Sequence, residues 1–159
     1  MDQADWHQAR ARALFARIAD MHGLRNRGAD QGPDYFEVEL PVQYGLRIAL
    51  RLAWARDTLS IRCDLFTADF YLDADPEAEF RFVETIDGLV TGEVRALLFY
   101  WPRGKRPYKA LLQRAEGAGE DAEWRTFYTW FRWLPWSPLA REEVFLNAPA
   151  MHLRVVGTA

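Results

Sequence analysis

Residues 46–56 constrain the fold more than any other stretch of this chain. Leu46, Ile48, Leu50, Leu52 and Trp54 alternate with Arg47, Ala49, Arg51, Ala53 and Ala55. A period of two places every second side chain on one face, the pattern of a strand with one buried side. Asp57 and Thr58 interrupt it, and Leu59, Ile61, Cys63 and Leu65 resume it against Ser60, Arg62 and Asp64. A two-residue turn at 57–58 predicts a hairpin with Leu50 opposite Leu65, Leu52 opposite Cys63 and Trp54 opposite Ile61 on the inner face. Arg51 then faces Asp64 on the outer one. Upstream, Tyr35–Leu40 alternates Phe36, Val38 and Leu40 with Tyr35, Glu37 and Glu39. Folding back through 41–45, it sets Glu39 against Arg47 and Tyr35 near Arg51, which completes a three-stranded antiparallel meander.

The remaining segments attach to that meander. Residues 4–22 carry Trp6, Ala9, Ala13, Ala16 and Met21 interleaved with Leu14, Phe15 and Ile18, an amphipathic helix that Gly23 stops. Residues 25–32 form a polar linker. Phe80, Val83, Ile86 and Val90 are spaced for a helix over 77–90, against a competing strand-like alternation at 80–82. Residues 93–101 and 108–115 pair around the turn 102–107. With Pro102 opposite Pro107, Leu98 faces Leu111, Tyr100 faces Lys109, Leu97 faces Leu112 and Trp101 faces Tyr108. Residues 121–134 are predicted to be a helix ended by Pro135, with Trp124, Phe127, Tyr128 and Phe131 in one stripe and Trp130 and Trp133 beside it. A turn of helix at 138–143 and short strands at 144–146 and 151–156 close the chain. The expected fold is a single α+β domain over 1–159, with about five antiparallel strands against two or three helices in the order α-β-β-β-α-β-β-α and a short C-terminal extension.

Composition narrows the function. Half of the 159 residues are hydrophobic and 27% are charged, which is globular and not disordered. A net charge of −3 argues against a protein that grips nucleic acid with its whole surface. Cys63 is the one cysteine, falls on an apolar strand face and is expected to be a small buried hydrophobe. The first 24 residues carry charges throughout, and no stretch nears the roughly 20 apolar residues of a membrane span, so a cytoplasmic location is expected. Eighteen arginines against Lys105 and Lys109 fit a GC-rich bacterial genome.

No phosphate loop, nucleophile elbow or His-Glu-x-x-His is present. Of the three histidines, His7, His22 and His152, the first two stand fifteen residues apart on one helix, too far along its axis to share one metal, and one cysteine cannot complete a zinc site with them, so neither metal nor cofactor is expected. Asp73, Asp75, Glu77 and Glu79 have the composition of a hard-cation site. Asp75 as an N-cap, Pro76 at the first helical position and acids in the first turn explain them more simply.

Two stretches have the chemistry of binding. Arg103, Lys105, Arg106, Tyr108 and Lys109 interleave cations and aromatics at a hairpin tip, which suits phosphate contact with base stacking. Trp130, Trp133 and Trp136 are surplus to one buried stripe, and tryptophan is enriched at interface hot spots. The element order is similar to that of small acidic secretion chaperones and related bacterial adaptors, a likeness of architecture without a shared motif. The expectation is a non-enzymatic bacterial protein that binds another protein or a second copy of itself, as an immunity protein, chaperone or adaptor does. A nucleic-acid-binding module using the 103–109 tip is the alternative, and an undetected hydrolase stands third.

Overall fold

The computed structural model describes residues 3–117, 123–132 and 141–147. In chain order these form α1 (Gln3–Met21), β1 (Arg27–Gly32), β2 (Tyr35–Leu40), β3 (Leu50–Ala55), β4 (Thr58–Arg62), β5 (Thr67–Tyr71), α2 (Ala78–Thr91), β6 (Val94–Tyr100), β7 (Pro107–Glu116), β8 (Glu123–Phe131) and β9 (Arg141–Leu146). The class is α+β, as the alternating and helical periods predict. Every ladder is antiparallel, in one sheet ordered β1-β2-β3-β4-β5 and another ordered β8-β7-β6-β9.

The alternation at the centre of the chain sets the faces of the first sheet. Leu50, Leu52 and Trp54 of β3 and Leu59 and Ile61 of β4 are buried, as are Phe36, Val38 and Leu40 of β2. The strand pairing differs from expectation by an even number of residues. Leu52 pairs with Ile61 and Arg51 with Arg62, so the turn is Arg56-Asp57 and Asp64 lies beyond β4. On the other side Glu39 pairs with Arg51 and Tyr35 with Ala55, because β3 begins only at Leu50. An even shift leaves every side chain within β2, β3 and β4 on its predicted face, although Cys63 and Leu65 fall beyond β4, so the hydrophobic pattern cannot distinguish the two registers. The backbone does: Arg56 takes φ 55, a left-handed conformation that closes the tight turn at some cost for a residue with a Cβ.

The sheet is also wider than the meander foresees. β5 buries Ala68 and Phe70, and β1 adds a polar edge, with a register shift between Arg27 and Ala29, where 25–32 reads as a linker. An edge strand without an apolar row gives no period-two signal.

α1 lays Ala11, Leu14, Phe15, Ile18 and Ala19 on this sheet, with Phe15 stacked on Phe36 at 5.8 Å. Ala13, Ala16 and Met21 of the expected stripe face solvent. α2 buries Ala78, Phe82, Ile86 and Leu89 between the two sheets, which settles 77–90 as helix. Phe82 touches Phe15 on one side and Phe70 on the other, at 5.8 and 5.7 Å. Gly88 lets α2 approach β6: a Cβ there would come within 2.4 Å of Val94. One core thus runs through α1, α2 and the inner faces of both sheets.

The largest departure is β8, where 121–134 reads as a helix. Aromatic and β-branched residues suit a pleated surface, and the helical spacing has a cause in the strand. Leu112 pairs with Tyr128 but Gln113 with Thr126, so Phe127 is an extra residue in a β-bulge. The bulge inverts the alternation midway. Trp124 and Phe131 therefore share one face although an odd number of positions separates them, and seven residues is also two turns of helix. The β6-β7 hairpin is likewise offset by one, pairing Leu97 with Leu111 and Leu98 with Ala110, while Tyr100 meets Pro107 across a bulge. Arg141–Leu146 is one strand where a helical turn and a shorter strand are expected, and 151–156 lies outside the described residues.

Candidate interaction surface

The second sheet has two unlike faces. Its inner face, Val94, Ala96, Leu98, Tyr100, Ala110 and Leu112, is buried against α2 and the core. Its outer face follows from the register in three rows. Glu142, Phe99, Lys109 and Phe131 form the first, Val144, Leu97, Leu111 and Thr129 the second, and Leu146, Arg95, Gln113 and Thr126 the third. The middle of this face is aliphatic. Val144 is 55% exposed and Phe131 51%, while Leu97, Phe99 and Leu111 are half-buried. Among the described residues no helix packs on this face.

Cations on this face are held against rings. Lys109 Nζ stands 4.7 Å from the Phe99 ring centre and 5.4 Å from that of Phe131. The Arg95 guanidinium lies 4.2 Å from the Trp124 ring, donates from Nε to Gln113 Oε1 at 2.9 Å, and is lowered in pKa by burial. Gln113 in turn donates to Thr126 Oγ1 at 3.2 Å. Both charges therefore lie flat on the sheet with their aliphatic stems covered.

The hairpin tip closes with Gly104 N–H donating to Trp101 C=O at 2.8 Å. Arg103, Lys105 and Arg106 are exposed and make no ion pair among the described residues. Trp101 and Tyr108 touch as the sequence expects, ring centres 4.8 Å apart, but Tyr108 is only 6% exposed. Three residues of the predicted tip thus stand free, Tyr108 lies beneath Trp101, and Lys109 sits between Phe99 and Phe131.

Of the predicted tryptophan group, Trp130 alone lies within the described residues. Trp130 pairs with Ala110 and packs toward the core, on the inner face. Trp133 and Trp136 lie outside the described residues. Conversely Trp124 is on the outer face and Phe127 is 43% exposed, where helical spacing predicts both in the core. The outer rows are missed from sequence because a helix at 121–134 hides the register that assembles them.

The outer face of the first sheet offers a contrast. Its centre is Ala53 and Ser60, both buried, ringed by polar groups that satisfy one another. Ser60 Oγ donates to Asp69 Oδ1 at 2.6 Å, Tyr35 Oη donates to Glu37, and Arg62 approaches the same carboxylate at 3.7 Å. Between β5 and β8, Asp69 N–H donates to Tyr128 Oη at 2.8 Å, tying the two sheets edge to edge. Burial raises the Tyr128 pKa, opposed by that N–H. A cleft of about 380 Å³ opens beside this tie, lined by Tyr71, Arg81, Glu84, Arg114, Phe127 and Tyr128. Its cations are paired, Arg114 with Glu84 at 3.1 Å and Arg81 with Asp75 at 3.4 Å.

The acidic run at 73–79 serves the start of α2. Asp75 Oδ1 accepts the Glu77 N–H at 2.9 Å, and Glu79 pairs with Arg10 at 2.6 Å; the helix begins at Ala78, two residues after the expected Pro76. Among the described residues no three His, Cys, Asp or Glu side chains are grouped to hold a metal. His22 Nε2 is 3.3 Å from Asp87 Oδ1 without hydrogen-bond geometry. The Cys63 thiol is pushed up to about 11 by burial, against the opposing backbone N–H groups of Leu65 and Phe66. That is the reverse of what an activated nucleophile needs. No helix among the described residues is long and apolar enough to cross a membrane. No family model, curated protein or solved structure matches the chain.

Proposed function

We propose that the chain is a bacterial, cytoplasmic, non-enzymatic binding protein of the immunity, chaperone or adaptor kind, and that it binds another protein through the outer face of its second sheet. The observation that carries this reading is the row Val144, Leu97, Leu111, aliphatic side chains on three adjacent strands facing away from the core. A sheet with one face on the core ordinarily makes the other polar, and the first sheet of the same molecule does so. A continuous apolar patch kept on the opposite face is the mark of a docking surface.

The nucleic-acid reading of 103–109 has less support, since stacking on exposed rings is what gives single strands their affinity. Tyr108 is buried and Lys109 lies against Phe99 and Phe131, which leaves Trp101, 40% exposed, as the open ring of the tip.

Capture from a lysate of the source cell tests the docking reading, with wild type, Val144→Asp and Thr67→Asp as baits. Thr67 is on the outer side of the first sheet. A partner held by wild type and Thr67→Asp but lost by folded Val144→Asp is the expected result. Equal capture by all three contradicts it.

A further inference from the structure

We infer that the occupant of this face is an acidic, amphipathic segment of a partner protein, whose apolar side chains seat on Leu97, Leu111 and Val144 and whose carboxylates meet Lys109 and the 103–106 tip. The inference rests on the protein-binding reading above and adds the chemistry of the partner. Its ground is the placement of charge.

The three outer rows and the hairpin tip carry five cations, Arg95, Arg103, Lys105, Arg106 and Lys109, against the single acid Glu142. That is a net +4 within a chain whose total is −3, so the rest of the chain is net −7. An acidic protein has thus gathered positive charge around the apolar outer face of its second sheet. Charge of one sign around an apolar patch raises the encounter rate with a partner of the opposite sign and repels others.

The arrangement suits a carboxylate better than a phosphate backbone. Lys109 is held between Phe99 and Phe131, and Arg95 against Trp124 with its Nε committed to Gln113. Single charges fixed among apolar side chains match single carboxylates spaced between apolar residues. A nucleic acid would instead use the rings as stacking platforms, and here Lys109 lies against Phe99 and Phe131 and Arg95 against Trp124. The row Val144, Leu97, Leu111 spans two strand spacings of about 4.8 Å, room for two or three side chains of an incoming segment. The chain's own residues 133–140 contain no charge, and 148–159 contain Arg154 and no acid, so neither stretch supplies the carboxylates that Lys109 and the tip would meet.

Fluorescence anisotropy with soluble labelled peptides of equal length tests the inference: one of Leu and Glu, one of Leu and Lys, one of Ser and Glu, beside a labelled oligothymidine. The Leu/Glu peptide should bind the full chain roughly tenfold or more tightly than either other peptide, and lose affinity as salt rises. Val144→Asp should weaken it at least about tenfold with an unchanged melting temperature. Reversing Arg103, Lys105 and Arg106 to Glu should shift preference to the Leu/Lys peptide. Equal binding of Leu/Glu and Leu/Lys overturns the acidic partner and leaves the docking face standing. Absence of peptide binding overturns the inference, while the lysate capture above still judges the protein-binding reading independently. Oligothymidine bound with a steep salt dependence, and no peptide bound, overturns both.

Discussion

The two sheets of this molecule share a core but differ in how they treat their outer faces. The first sheet covers its outer centre with small residues, Ala53 and Ser60, and surrounds them with mutually bonded polar groups from Tyr35, Glu37, Arg62 and Asp69. The second places Leu97, Leu111 and Val144 there and parks Lys109 and Arg95 on rings. The inner faces are equivalent. A sheet that needs only to be stable can stop at the first arrangement, and the surplus apolar area of the second is the ground for the proposed docking role.

The comparison weakens if the sheets are energetically separate, which Phe82 tests. It is fully buried in α2, between Phe15 and Phe70 and beneath both sheets. Phe82→Ala should lower stability by about 3–5 kcal/mol and melt both sheets in one transition, followed by denaturant titration with far-UV and tryptophan signals. Two separated transitions would break the shared core.

Next in size is a pH effect at the connection between β4 and β5. Cys63 is raised from 9.0 to about 11, chiefly by burial. A raised pKa means that the folded form holds its proton longer than the unfolded one, so the stabilisation is full below about pH 9 and is lost as pH rises through about 11. At 1.36 kcal/mol per unit the loss approaches about 2–3 kcal/mol. Melts of wild type between pH 8 and 11 should fall more steeply than those of Cys63→Ala, and native Cys63 should resist alkylation at pH 8.

Gly88 sharpens the comparison from the other side, because it governs how closely α2 meets β6 of the second sheet. Gly88→Ala should cost about 1–3 kcal/mol through the clash with Val94, measured by thermal melting. Tyr128→Phe removes only the acceptor for Asp69 N–H at the seam between the sheets. A loss of about 0.5–1.5 kcal/mol is expected, with faster exchange of the Asp69 amide.

How much of this was legible in the sequence follows the same division. In the first sheet one face is apolar and the other polar, so alternation at Tyr35–Leu40 and 46–56 fixed which side chains point inward. It could not fix the pairing, since Arg51 opposite Arg62 and Arg51 opposite Asp64 bury the same residues. In the second sheet both faces of β6 and β7 carry apolar residues at Leu97, Leu98, Leu111 and Leu112, and a one-residue offset leaves little trace in hydrophobicity. In β8 the bulge at Phe127 imitated a helical repeat. The basic tip was visible as composition, whereas the aliphatic row is visible only once β6, β7 and β9 lie side by side. Residues contributing one side chain each from distant strands give no local signal.

Leu111 and Leu112 test the central claim most directly, being adjacent in β7 and on opposite faces. Leu112 is fully buried against the core; Leu111 is half-buried in the outer row. Each is replaced by Ala, and stability and affinity for the Leu/Glu peptide are measured on the same samples. Leu112→Ala should lose about 2–5 kcal/mol of stability and, where folded, keep its affinity. Leu111→Ala should lose under about 1.5 kcal/mol yet bind the peptide several-fold more weakly. Equal loss of stability in the two variants, with affinity unchanged by Leu111→Ala, would show the outer row to be ordinary packing and contradict the account.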